Sequence, residues 1–151
     1  MLGRAYTISA SFAGKSSGAA QDLFRLSAPS DAVVVVDRII IGQSGSETSE
    51  ARVIEVGRCS TDGTGTTTTA EAMEVGSPAY GGSAVTDLTV DTTSTDVLLF
   101  APWNVLSIFE WLPTPEERIV ISPSGRIYGR IDDAGTGLTF QVTVAFREIG
   151  G

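Results

Sequence analysis

Leu138–Thr–Phe–Gln–Val–Thr–Val–Ala–Phe146 alternates without a break: Leu138, Phe140, Val142, Val144 and Phe146 fall on one face, Thr139, Gln141, Thr143 and Ala145 on the other. That is the period of a strand with one buried face. Tyr6–Thr–Ile–Ser–Ala–Ser–Phe12 repeats it near the start of the chain. Each of these strands demands a covered apolar face, so both are expected in the central layer of the fold.

Between them lie further β-rich runs: Leu23–Leu26, Val33–Ile41, Val53–Cys59, Thr86–Val90, Val97–Phe100, Val105–Leu112, Ile119–Ile121 and Arg126–Ile131. Several are dominated by β-branched residues. Turn chemistry separates them at Pro29–Asp31, Gly42–Gly45, Asp62–Gly63, Pro123–Gly125 and Asp132–Gly135. The pattern predicts an all-β fold, an antiparallel β-sandwich of jelly-roll type. No helix of three turns is expected, and at most a short one near Glu50 to Ile54. Thr61 to Ser94 is rich in Thr, Gly and Ser and reads as a long excursion, a loop or weak hairpin, that either moves or is ordered by a neighbouring subunit. With neither a repeat nor a Pro-rich linker, residues 1–151 read as one domain.

Composition bounds the function. For 15.7 kDa the folded surface should be about 7,300 Å², roughly a third of what the unfolded chain exposes. The net charge of −8 gives no electrostatic reason to bind a phosphate backbone, so no nucleic-acid partner is expected. Val33 to Ile41, the longest apolar stretch, is interrupted by Asp37 and Arg38 and is too short to span a membrane. Lys15 is the one lysine beside nine arginines, a bias that suits contacts between chains. Cys59 is alone, so neither an intrachain disulfide nor a thiolate cluster can form. Met1 to Phe12 lacks the pattern of a signal peptide.

The chain has no histidine, which removes Ser-His-Asp and Cys-His mechanisms, His-based zinc sites and the commonest general base. A Ser-Lys dyad would have to use Lys15, within the Gly/Ser segment Gly14–Gly18. Glu116 and Glu117 read as a solvated turn, and Glu110 as an edge-facing or Arg-paired carboxylate. Asp132–Asp133 and Asp91…Asp96 could offer oxygens to calcium, but their spacing is not that of an EF-hand loop. Gly63–Thr–Gly65 and Gly135–Thr–Gly137 do not open helices and read as turns. Neither enzyme activity, a metal nor a cofactor is expected. A strand through Trp103 to Trp111 would put Trp103, Val105, Ser107, Phe109 and Trp111 on one face, open to use as core, subunit contact or sugar-stacking platform.

Taken together, Tyr6–Phe12, Ala19–Ala–Gln–Asp–Leu–Phe24, Ala28–Pro–Ser–Asp–Ala–Val33, Trp103–Asn–Val105, Pro113–Thr–Pro–Glu–Glu–Arg118, Ile121–Ser–Pro–Ser124 and the closing Phe146–Gly151 resemble a family of small proteins. These are encoded in the structural gene clusters of tailed bacteriophages and prophages. The resemblance covers most of the chain except the Thr/Gly-rich middle. It implies a virion role, with capsid decoration (cement) on the outer head surface as the leading reading. The partners would then be the major capsid protein and copies of the chain itself, as a homotrimer on capsids made in the host cytoplasm. With the arginine bias and the aromatics, it makes Arg4, Trp103, Phe109, Trp111, Arg118 and Arg126 the interface candidates.

Two other readings stay open. One is a carbohydrate- or receptor-binding module of a phage fibre or tail, with Trp103, Trp111 or Tyr80 as platforms. The other is a head-completion or tail-tube-like ring protein, with Thr61–Ser94 as a lumen loop.

Overall fold

Twelve strands and one 3-10 turn make up the regular structure among the described residues. The computed structural model describes residues 3–15, 18–46, 48–135 and 137–151. Met1 and Leu2 of the N-terminal arm, Ser16 and Ser17 beside Lys15, and Thr136 between Gly135 and Gly137 lie outside the described residues. The strands are β1 (Arg4–Ala13), β2 (Gln21–Ser27), β3 (Ala32–Ser44), β4 (Ala51–Cys59), β5 (Thr64–Thr67) and β6 (Glu71–Ala72). They continue with β7 (Ser83–Val90), β8 (Ser94–Asn104), β9 (Phe109–Trp111), β10 (Val120–Ile121), β11 (Arg126–Ile131) and β12 (Thr139–Gly150).

They form two antiparallel sheets, as expected of an all-β sandwich. The first runs β10-β3-β12-β1-β6, with β9 also on β3; the second runs β5-β7-β2-β11-β4-β8. β12 lies between β1 and β3, so the two strands that alternate most clearly are neighbours, paired Tyr6↔Phe146, Ile8↔Val144 and Phe12↔Phe140. Phe140, Val142, Val144 and Phe146 are buried, each contributing about 1.5–3 kcal/mol.

In β3 the buried set changes parity, from Val34 and Val36 to Ile39 and Ile41. A bulge between Ala145 and Phe146 of the β12 ladder leaves Asp37 as the extra residue. Without it a one-residue slip would turn the isoleucines to solvent. Asp37 is held by Arg147 through two bonds of 2.8 Å.

Four local expectations need correction. Glu50 to Ile54 leads into β4 and is extended, because Ala51–Ile54 pairs with Asn104–Ala101. Val105–Leu112 is not one strand: a turn at Val105–Ser107, closed by Ser107 N donating to Asn104 O, separates β8 from β9. Trp103 and Trp111 therefore do not share a face. Gly42 to Ser44 stays in β3, paired with β12, and Gly65 lies within β5.

The excursion is ordered by the chain's own sheets. β6 pairs with β1, while β5 and β7 extend the second sheet beside β2. The accessible surface is 7295 Å², close to the value of about 7,300 Å² expected for a folded chain of this mass.

Candidate assembly surfaces

A sandwich has two open sides, and here they differ in chemistry. On one side the margins are β9 and β10 of the first sheet and β8 of the second. β8 is eleven residues long and, among the described residues, pairs with β4 alone. Such an edge exposes a row of unpaired backbone donors and acceptors. Val97, Leu98 and Phe100 along it are exposed. β10 is only two residues long and leaves Val120 half open.

Between these margins lies a groove of about 500 Å³, lined by Leu98, Leu99, Trp111, Val120, Arg58 and Arg118, among others. The 3-10 turn at Pro115–Glu117 sets its rim. Thr114 caps the turn, its Oγ1 donating to Glu117 Oε2 at 3.0 Å, which holds that carboxylate locally. Arg118 follows and stands 3.2 Å from Asp37, though its Nε has no aligned hydrogen-bond acceptor. Arg58 is exposed and makes no ion pair or side-chain hydrogen bond among the described residues.

The opposite side is bounded by β1 and β6 of the first sheet and β5 and β7 of the second. Its groove, about 530 Å³, is lined by Thr7, Ser9, Ser11 and Thr66–Thr69, with Phe12, Glu71 and Asp87. Just beyond β6 the chain projects as a tongue, where Met73 and Val75 are exposed, Val75 completely. Met73 N donates to Ala5 O, and Ser77 N closes a turn onto Glu74 O. Gly76 supplies the positive φ of 86° that this turn needs and puts Val75 at the tip.

The structure separates the six interface candidates. Trp111 and Arg118 meet in the groove between β8, β9 and β10, and half-buried Phe109 lies beside them on β9. Trp103 is interior, 4% exposed, its indole N–H donating to Ser107 O at 3.0 Å. Arg4 pairs with buried Glu148 at 3.4 Å, and Arg126 with Asp62 at 2.6 Å, both away from the groove. Tyr80, considered as a sugar platform, packs on Tyr6 and Phe146 and donates its phenol to Ser27 O. Arg58, Leu98 and Val120 were not among the candidates. Val97–Leu98–Leu99–Phe100 was the available signal, since four apolar residues in a row cannot all face one core.

The groups weighed for chemistry are engaged in structure. Lys15 Nζ lies 3.4 Å from Asp91, and Glu110 pairs with Arg38 at 3.1 Å. Asp132 accepts from Val53 N, while Asp133 accepts from Gly18 N and Gly135 N. Among the described residues no three His, Cys, Asp or Glu side chains gather to hold a metal. Nor is any helix there long and apolar enough to cross a membrane. Burial raises the thiol pKa of Cys59 and, with Glu55, pushes the Tyr128 phenol up to about 12.

Comparison of the chain with protein-family models, curated proteins and solved structures finds no match.

Proposed function

We propose that the protein is a virion structural protein, a capsid decoration (cement) protein that binds the outer head surface and stabilises it as a homotrimer. The observation that carries the reading is the strand order: β1-β12-β3-β10 in one sheet facing β2-β11-β4-β8 in the other. With β5, β6, β7 and β9 set aside, this order supports a jelly-roll reading, an architecture common to viral capsid and lectin domains. The resemblance to proteins of phage structural gene clusters supports the same reading. A decoration protein also needs covered edges, and the bare apolar margin at β8 gives it a surface to bury.

The test is cosedimentation of the purified protein with undecorated phage heads, followed by thermal challenge of the heads. Saturable binding that raises the temperature of head rupture supports the reading. Protein that stays in the supernatant at every concentration ends it.

One observation favours a second reading. The hydroxyl-lined groove beside Phe12, with the carboxylates of Glu71 and Asp87, offers the acceptors and donors that a saccharide uses. A receptor-binding role predicts glycan-array signals that Phe12→Ala abolishes.

A further inference from the structure

The two open sides of the sandwich are complementary to each other. One carries a groove in which Leu98, Leu99, Trp111 and Val120 lie beside Arg58, Arg118 and Glu117; Arg118 faces Asp37 and Glu117 is held by Thr114, whereas Arg58 has no ion pair among the described residues. The other carries the tongue Glu71–Gly76, in which exposed Met73 and Val75 alternate with exposed Glu74. Glu71 and Glu74 likewise make no ion pair among the described residues. Apolar knobs flanked by carboxylates match a groove in which Leu98, Leu99 and Val120 lie beside the cationic Arg58. Burying Met and Val removes apolar surface from water on both sides, and the charge match fixes the register.

The tongue cannot reach its own groove. β6 and β10 lie at opposite ends of the first sheet, four strand spacings or about 19 Å apart, with the packed core between them. Its turn is also pinned, by Met73 N to Ala5 O and by Ser77 N to Glu74 O. The tongue is therefore presented outward as a preformed element, at little ordering cost on binding.

We infer that the tongue at Met73–Val75 of one copy seats in the β8/β9/β10 groove of the next, with Glu74 meeting Arg58. This rests on the reading above that the protein assembles with copies of itself, and names the surfaces by which it does so. Because the two surfaces differ, the contact is head-to-tail: every copy offers one tongue and one groove, and the association closes when a whole number of copies completes a ring. In the ring Leu98 and Val120 are covered, and the β8 edge no longer faces water.

Mass photometry and sedimentation of the purified chain test this. The wild type should give a closed oligomer of three or more copies at micromolar concentration. Arg58→Glu alone, and Met73→Ser with Val75→Ser, should each weaken assembly by about tenfold or more while leaving the melting profile of the subunit in place, since all three positions are exposed. Combining Arg58→Glu with Glu74→Arg should restore assembly, which only a contact between these two residues can do. A monomeric wild type, an oligomer that ignores these substitutions, or a charge swap without rescue overturns the inference. A monomer that still binds phage heads would overturn it, and the homotrimer with it, while sparing head decoration. A ring that ignores heads would do the reverse.

Discussion

Asp22 has no exposed surface, and its carboxylate lies 2.5 Å from the guanidinium of Arg130 across the β2–β11 ladder. The other carboxylate oxygen accepts from Thr92 N and Thr92 Oγ1, both at 2.6 Å. Arg130 in turn donates to Thr92 O and stacks on Tyr128. One buried acid thus ties the β7–β8 connection to the second sheet. Removing it strands a cation and two donors. Asp22→Ala should destabilise the fold by about 3 kcal/mol, the scale for breaking a buried pair. Asp22→Asn, which keeps an acceptor for Thr92, should lose less. Urea denaturation measures both, and equal losses would show that the acceptor for Thr92 contributes nothing beyond the charge.

Gly129 faces Phe24 across the same ladder, and a Cβ there would lie 2.1 Å from the phenyl ring. Gly129→Ala should therefore cost about 1–3 kcal/mol through overpacking. Phe24→Leu in that background should recover part of the loss, although Phe24→Leu alone is destabilising. Additive effects in the double-mutant cycle would contradict the contact.

Asp133 gives the fold an acid dependence. Backbone N–H bonds from Gly135 and Gly18 hold its pKa below the ordinary 3.8. A carboxylate with a depressed folded pKa adds stability that is fully present above the unfolded value and lost as pH falls through the folded one. Asp133→Asn should lower stability above pH 3.8 and flatten the decline below it. Thermal melts across that range check the sign.

Cys59 is buried, and its thiol pKa is raised chiefly by that burial. The thiolate is the reactive form. An aromatic disulfide reagent should leave the native protein unmodified and label it fully once denaturant is added. Rapid labelling of the native protein would mean that the β4 end opens freely.

The strongly alternating strands were legible because β1 and β12 each bury one face and pair with each other, so pattern and tertiary contact agree. β3 was legible as a strand but not as a bulged one, since the parity change at Asp37 shows only once its partner's register is known. Glu50–Ile54 misled because its composition suits a short helix until β8 pairs with it. Val105–Ile108 misled because apolar residues in a turn look like a strand. For the surfaces, aromatic and arginine bias picked out Trp111 and Arg118, which line the β8/β9/β10 groove, and also Trp103, which lies in the core. The tongue carried no such signal. Its exposure comes from Gly76 and from the pairing of β6 with β1, neither of which composition encodes.

β12, the middle strand of the first sheet, is also the last of the twelve to leave the ribosome. Its neighbours β1 and β3 are made early and then wait while more than ninety further residues are added, on the order of ten seconds at ordinary elongation rates. During that time the sheet has two flanks and no keystone, and Tyr6, Ile8, Val34 and Ile39 have no strand between them to complete their layer. Folding of the first sheet must then follow synthesis of β12, in one long-range closing step. A nascent chain of this design leaves apolar strands uncovered until β12 arrives, and translation stalled before Thr139 would leave an open template for aggregation.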